Sequence, residues 1–174
     1  MSTRAATAAP TVQDRIASYA VRHLAGLSGR RAQVFHLSPL ERADMVKQGV
    51  PARSVADLSG AMGVPREQLL RVLGLARSTV ERKISAKRVL SSDESEKLVG
   101  LERLIGQVAA MVAESAGEGG AAPADFDAAR WFARWMAEPA AALGGICPQD
   151  LLDTADGREA ISHLLSQMKS GAYA

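Results

Sequence analysis

Apolar residues recur every three or four positions along most of this chain, and that spacing predicts amphipathic helices. Glycine and proline separate the periodic segments and mark where the helices start and stop. The predicted helices cover residues 11–25, 38–49, 54–63, 65–74, 78–88, 92–114, 125–137, 148–152 and 156–170. No internal repeat relates these segments, so the pattern predicts one all-α chain.

Several helix starts are predicted from residues whose side chains can cap free backbone N–H groups. Two serines each stand three residues before a glutamate, which is the spacing of a capping box. These boxes are Ser38 with Glu41 and Ser78 with Glu81, and the other predicted caps are Asp125 and Asp156. The stretch from Ser115 to Ala124 is rich in Gly and Ala and is predicted to be a linker or loop.

Two of the predicted helices have unusual apolar faces. In the long helix from Ser92, Gly100 and Gly106 indicate close contact with a neighbouring helix. Its inward positions are Leu98, Leu101, Leu104, Ile105, Val108, Met111 and Val112. The helix after Asp125 carries Trp131, Phe132 and Trp135 on an apolar arc that is too wide to be covered from one side. We expect this arc to belong to the core or to a dimer interface.

The composition agrees with helices and limits the compartment. The chain is 47% hydrophobic but only 4% aromatic, which disfavours a β-sandwich or barrel. A single cysteine, Cys147, rules out a disulfide framework and favours a reducing compartment. No apolar run is long enough to span a membrane and no secretory signal is evident at the N-terminus. We therefore expect a cytoplasmic protein.

The net charge of +2 hides an asymmetry between the two halves. Residues 1–92 hold 15 Lys or Arg against 6 Asp or Glu, whereas residues 93–174 hold 6 against 13. A basic half joined to an acidic half suggests two partners, the first of them a polyanion. A chance difference between solvated faces is the alternative.

Residues 65–88 have the dimensions of a helix-turn-helix, with Gly74 at the turn. If Val80 and Ile84 are buried, the second helix presents an outward face that can meet base edges and phosphates. The candidate DNA-binding residues are Arg77, Ser78, Thr79, Arg82, Lys83, Lys87 and Arg88. A solvated basic helix with no ligand is the alternative.

Signals for catalysis are weak. The three histidines, His23, His36 and His163, are scattered, and His163 is expected at the surface of the last helix. No Cys/His cluster has zinc spacing, and neither a phosphate-binding loop nor a nucleophile elbow occurs. We therefore assign no catalytic residue, no metal and no cofactor.

The last helix is predicted to bury Ile161, Leu164, Leu165 and Met168, with Ser162, Ser166 and Lys169 on the opposite face. The chain then ends Gly171-Ala172-Tyr173-Ala174, which leaves one aromatic ring beside the free carboxylate. Such a tail can enter a concave site on a partner. A frayed tail is the alternative.

Several short segments, in this order and spacing, resemble one family. They are Leu73-Gly74-Leu75, Ser78-Thr79-Val80-Glu81-Arg82-Lys83, Ser92-Asp93-Glu94-Ser95, Trp135-Met136, Pro139, Leu143-Gly144-Gly145, Pro148, Leu151-Leu152-Asp153-Thr154, Gly157 and the terminal Gly171-Ala172-Tyr173-Ala174. From about Leu40 onward the chain resembles the Xre/MbcA/ParS-type antitoxins of bacterial type II toxin–antitoxin systems. The first 30 or so residues match nothing comparable.

The resemblance implies an Xre-like helix-turn-helix that binds palindromic operator DNA as a homodimer and represses its own operon. It also implies a C-terminal domain that neutralises a RES-domain toxin, an enzyme that degrades NAD or uses it for ADP-ribosylation. The family's C-terminus blocks the toxin's active site. Here that role falls on Met168, Lys169, Gly171, Tyr173 and Ala174. Two departures from the family pattern are Ala172, where valine is commoner, and Lys83, where the family more often has a second arginine.

We therefore expect three parts: an extension over residues 1–35 with a possible helix, a helix-turn-helix domain over 36–92, and a helical toxin-binding domain over 93–174. Two other functions stay open from the residues. One is a stand-alone helix-turn-helix regulator without a toxin partner. The other is an enzyme, which the lack of a catalytic constellation disfavours.

Overall fold

The computed structural model describes residues 34–115 and 126–169. The predicted helix over 11–25, most of the predicted linker, Asp125 and residues 170–174 lie outside these ranges. The described helices are α1 (Pro39–Gln48), α2 (Arg53–Met62), α3 (Arg66–Val72), α4 (Arg77–Ser85), α5 (Ser92–Ser115), α6 (Ala128–Trp135) and α7 (Ala155–Lys169). Two 3-10 turns, Ala141–Leu143 and Pro148–Leu151, lie between α6 and α7. No β-strand occurs in the described ranges, and the all-α prediction is confirmed.

The start of α1 follows the predicted capping box. The Ser38 hydroxyl accepts a hydrogen bond from the Glu41 N–H, and the Glu41 carboxylate accepts one from the Ser38 N–H at 2.8 Å. A second box begins α5, where the Ser91 hydroxyl and the Glu94 carboxylate accept from each other's backbone N–H groups. Each box satisfies two N–H groups that have no partner inside the helix.

The capping box predicted at Ser78 is wrong. Helix α4 begins at Arg77 after Ala76, so Ser78 already has helical backbone and cannot cap. The Glu81 carboxylate instead accepts a hydrogen bond from Nε of Arg66 on α3 at 2.8 Å. An ion pair between neighbouring helices has therefore replaced the local bond that the sequence spacing suggested.

The predicted caps of the last two helices also need correction. Asp127 caps α6, because its carboxylate accepts from the N–H groups of Ala129 and Arg130 at 3.0 and 3.1 Å. Thr154 caps α7 through a 3.0 Å bond from the Gly157 N–H, and Asp156 lies inside the first turn. Since Asp156 has helical backbone, its charge can favour the helix dipole there but its side chain is not the cap.

Helix α5 forms the centre of the molecule and contacts α1, α6 and α7. Five of its seven predicted inward residues are buried: Leu98, Leu101, Leu104, Ile105 and Val108. Met111 and Val112, near its end, are half-buried. Helices α2 and α3 contact each other, and α2 also contacts α6, so one hydrophobic core runs through the described residues.

The close helix contact predicted at Gly100 is confirmed. A Cβ at this position would lie 2.5 Å from Nε of Arg158, whose side chain crosses α5 from α7. The Arg158 guanidinium is almost completely buried, donates to the Leu152 carbonyl at 2.7 Å and pairs with Glu96. Glycine at position 100 therefore makes room for a buried arginine that joins α5 to α7.

Three of the four apolar residues predicted to be buried on α7 are buried and Met168 is half-buried, whereas the serines predicted on the opposite face are hydrogen-bonded to α5. Ile161, Leu164 and Leu165 are buried. However, the Ser162 hydroxyl donates to Gln107 of α5 at 2.8 Å, and the Gln107 amide donates to the Ser166 hydroxyl at 3.0 Å. The contact between α5 and α7 is therefore wider than the apolar stripe, because polar residues at its edge are hydrogen-bonded across it.

The apolar arc of α6 is divided between the core and the surface. Phe132, Ala133 and Met136 are buried. Trp131 and Trp135 are half-buried and stack on each other with 5.7 Å between ring centroids and 11° between planes. One side of the apolar arc therefore belongs to the core. That the tryptophan side forms a dimer interface remains a prediction.

Among the helices that the structure describes, none has the length and apolar character that a membrane span requires.

Candidate functional site

A helix-turn-helix is formed by α3, a turn at Gly74, and α4. The turn needs Gly74, whose φ of +59° lies in the left-handed region. The Leu75 N–H donates to the Leu70 carbonyl at 2.8 Å and closes the end of α3. Leu70 and Val80 are buried and join the two helices to the core. The second helix is therefore held rigidly with one face toward solvent.

The exposed face of α4 contains most of the candidate DNA-binding residues. Arg77, Ser78 and Arg82 are exposed, and Thr79 is half-buried at the edge of the face. Arg77 forms a 3.1 Å ion pair with Glu67, and both of these side chains are mostly exposed. Such a surface pair contributes little to stability, so phosphate can compete for Arg77 at small cost.

Lys83 has a different environment from the other basic residues of α4. Its side chain is only 21% exposed and forms an ion pair with Glu94 at the start of α5. Burial alone would raise the pKa of Glu94, but the hydrogen bonds from Lys83 and the Ser91 N–H, with the charge of Lys83, lower it overall. Lys83 therefore joins α4 to α5, and its charge is partly neutralised before any DNA binds.

Lys87 and Arg88 project from the turn after α4. Lys87 adopts a φ of +51°, and the Arg88 N–H donates back to the Lys83 carbonyl at 2.9 Å. The Arg88 carbonyl accepts from the Ala52 N–H at 3.0 Å, which ties this turn to the residue preceding α2. The two basic side chains are thereby exposed at a defined place beside the end of α4.

One basic residue beside this turn was not predicted. Arg53, at the start of α2, lines the same cleft of about 490 Å³ as Lys87 and Arg88. Arg53 is far away along the chain and follows no periodicity that would connect it with α4. The hydrogen bond from the Ala52 N–H to the Arg88 carbonyl ties the start of α2 to this turn and so places Arg53 at the same surface.

The candidate toxin-binding residues are only partly within the described ranges. Met168 is half-buried against the core, and Lys169 forms an ion pair with Glu114 near the end of α5. Gly171, Tyr173 and Ala174 lie outside the described residues. Helix α7 is thus attached to α5 up to its final residue.

The described residues contain no group of three or more His, Cys, Asp or Glu side chains that could hold a metal ion. His163 is 75% exposed on α7 and lies 3.3 Å from the Glu159 carboxylate, so its predicted surface position is confirmed. Ser162, the residue before His163, donates a hydrogen bond to the side chain of Gln107 on α5.

Comparison with known proteins identifies two domains in the chain. Residues 41–103 match the antitoxin Xre-like helix-turn-helix domain. Residues 109–171 match the antitoxin Xre/MbcA/ParS C-terminal toxin-binding domain. The two matched regions meet within α5. Both describe binding domains of antitoxins and neither describes an enzyme family.

Two similar proteins are antitoxins by name. A protein of Sphingobium sp. (strain YBL2), named Prs ADP-ribosylating antitoxin, is 37% identical over 81% of this chain and 86% of its own length. The antitoxin Xre of Photorhabdus laumondii is 23% identical over 73% of this chain and 77% of its own length. The resemblance inferred from the short motifs is therefore confirmed. The chain belongs to the Xre/MbcA/ParS family of antitoxins, with a helix-turn-helix domain followed by a toxin-binding domain.

Proposed function

We propose that this antitoxin neutralises a RES-domain toxin that consumes NAD, and that it represses its own operon by binding palindromic operator DNA as a homodimer. Both activities take place in the cytoplasm. The chain itself is a binding protein and not an enzyme. Residues 36–92 form the DNA-binding unit, residues 93–174 form the toxin-binding unit, and residues 1–35 are an extension.

The observation that carries the DNA-binding role is the exposed basic surface of α4 and the turn that follows it. Arg77 and Arg82 lie on a helix whose opposite face is held in the core by Val80, and Lys87 and Arg88 flank its end. A rigid helix with exposed arginines can read bases in the major groove, while flanking cations neutralise phosphates. Ser78 and Thr79 supply hydroxyls at the edge of the same face. Lys83 contacts DNA only if its ion pair with Glu94 is broken and a phosphate takes the place of that carboxylate.

The toxin-binding role is assigned to the end of α7 and the residues after it. Met168 and Lys169 belong to a helix that is attached to α5, so the segment containing Gly171, Tyr173 and Ala174 starts from a defined position. We infer that this segment enters the toxin's active site and excludes its substrate. The name of the Sphingobium relative mentions ADP-ribosylation, a reaction in which NAD is the donor, and this supports a toxin that consumes NAD. The toxin-binding match counts against a stand-alone regulator.

Deletion of residues 171–174 tests the toxin-binding role. When the deleted chain is coexpressed with the proposed RES-domain toxin, growth should no longer be restored, because the segment that fills the active site is missing. Affinity for operator DNA should stay within about twofold, since α4 is unchanged. Tyr173→Phe, which keeps the ring, serves as the matched control and should still protect. Full protection by the deleted chain would contradict the proposal.

Two substitutions test the DNA-binding role. Arg82→Ala should cost about 1–3 kcal/mol on the operator and relax preference at one base position, because a bidentate contact to guanine is lost. Lys87→Ala should weaken operator and random DNA alike and lower the salt slope by about one. Fluorescence anisotropy over a salt series measures both, with the exposed Arg134→Ala as control. Equal losses on the two DNAs for both variants would contradict the assignment.

A further inference from the structure

A cleft of about 400 Å³ opens between α1, α5 and the first turns of α7. Its lining includes no residue of α4 and does not include the end of α7. Four basic side chains line it, and two carboxylates accompany them. The basic residues are Arg42, Lys47, Arg103 and Arg158, and the acidic ones are Glu96 and Glu159.

Both carboxylates of the cleft already have cationic partners. Glu96 pairs with Arg158, whose side chain is only 4% exposed and is also fixed by the Leu152 carbonyl. Glu159 lies 3.7 Å from Arg103 and 3.3 Å from His163. The acidic residues therefore offset two of the four cations, and the cleft keeps a net positive charge.

Arg42 and Lys47 on α1 have no carboxylate within 4 Å in the parts of the chain that the structure describes. The Arg42 guanidinium donates to the Leu37 carbonyl, which holds it in place but supplies no negative charge. Burial and the positive charge of Arg103 both lower the pKa of Arg42, and Glu41 opposes them. Two guanidinium groups that repel each other beside an open cleft are stabilised by a bound anion.

The remaining lining of the cleft is apolar. Val46 of α1 and Val99 of α5 contribute branched side chains, while Gly100 and Ala155 leave space beside them. The volume is in the range of small-molecule sites, which combine an apolar wall with a few polar groups that fix orientation. An inorganic anion would meet the cations but would leave this wall uncovered.

We propose that the cleft binds an organic phosphate of the size of a nucleoside monophosphate. The phosphate lies between Arg42 and Arg103 with Lys47 at the rim, and the organic part covers Val46 and Val99. Because α1 belongs to the region that matches the DNA-binding domain and α7 to the region that matches the toxin-binding domain, the ligand would contact both. This proposal is independent of how the toxin is neutralised.

Isothermal titration of the full chain with AMP, adenosine and inorganic phosphate tests the site. We expect saturable binding of AMP, binding of phosphate at least about tenfold weaker, and no binding of adenosine. Arg42→Gln and Arg103→Gln should each weaken AMP about tenfold or more, since each removes a charged hydrogen-bond donor. Arg134→Gln, which removes an exposed arginine from α6, is the matched control and should change the affinity less than twofold.

Lys47→Gln provides a second test that does not depend on a partly buried residue. Lys47 is exposed on α1, so the variant should fold and bind AMP several-fold more weakly. The proposal is overturned if AMP shows no saturable binding, or if Arg134→Gln weakens it as much as the cleft variants. Equal affinity for AMP and phosphate would overturn the organic part of the assignment, and equal affinity for AMP and adenosine would overturn the phosphate site.

Discussion

At the residue scale, two helical glycines have opposite surroundings. Gly60 lies in α2 and a Cβ added there would meet nothing within 4 Å. Gly157 lies in the first turn of α7, where a Cβ would come 2.0 Å from the Leu151 carbonyl oxygen and 2.7 Å from the Thr154 hydroxyl. Gly60 therefore only adds backbone flexibility to α2. Gly157, by contrast, allows the turn before α7 to lie close against the first turn of that helix.

Alanine substitutions at these two positions should therefore shift stability in opposite directions. Gly60→Ala should raise the free energy of unfolding by about 0.5–1 kcal/mol, because alanine restricts the unfolded chain and favours the helix. Gly157→Ala should lower it by about 3 kcal/mol or more, because a backbone oxygen must move. Urea denaturation followed by circular dichroism measures both, and a tolerated Gly157→Ala would show that the turn can relax.

At the scale of elements, the junction between α4 and α5 depends on one carboxylate. Glu94 accepts hydrogen bonds from the Ser91 N–H and from Lys83, and it is 12% exposed. It therefore caps α5 and also fixes the end of the DNA-binding helix. Its pKa in the folded chain is lowered from the ordinary value of 4.5.

The lowered pKa of Glu94 determines how acid acts on this junction. The stability that its ionised form contributes is complete above pH 4.5 and is lost as the pH falls through the folded-state pKa. Glu94→Gln should cost about 1–2 kcal/mol at pH 7 through the weakened cap, and its stability should fall less steeply below pH 4.5 than that of the parent chain. Urea midpoints over a pH series measure this.

Glu138→Gln is the matched control for this prediction, because Glu138 is an exposed glutamate outside the junction. It should leave the stability at pH 7 nearly unchanged and should keep the acid dependence of the parent. Identical acid profiles for Glu94→Gln and the parent chain would show that Glu94 does not couple α4 to α5.

At the scale of the whole molecule, the two matched domains share one core and one long helix. The matched regions meet within α5, and α3 is connected to α6 through α2. The two tryptophans of the chain, Trp131 and Trp135, both lie in α6, far along the chain from the helix-turn-helix. Their fluorescence therefore reports one end of the core while circular dichroism reports all of the helices.

Leu70→Ala should consequently destabilise both ends of the molecule together. Leu70 is buried in α3, and its truncation should cost about 2–5 kcal/mol. We expect the tryptophan transition and the circular dichroism transition to shift by the same amount of denaturant, because the shared core unfolds cooperatively. Lys87→Ala, at an exposed position, should shift neither. A tryptophan midpoint that does not move with Leu70→Ala would establish two independently folding units.

Local chemistry explains why much of the fold was predictable. The Ser38 box, the glycine after α2 and the glycine turn before α4 each depend on residues within a few positions of one another. The choice between Asp125 and Asp127 as a cap was not predictable in this way, since either aspartate suits a helix start. The hydrogen bonds that Asp127 accepts from the Ala129 and Arg130 N–H groups place the cap of α6 two residues after the predicted one.

The sequence by itself determined the helical class, the position of the helix-turn-helix and the family, because periodicity, turn residues and short motifs are local properties. The tertiary structure decided which charges have partners. Lys83 is paired with Glu94, Arg158 is paired with Glu96, and the serines of α7 bind Gln107. These partners are brought together by the burial of apolar faces from distant helices, and a charge pattern along one helix carries no information about its neighbour across the core.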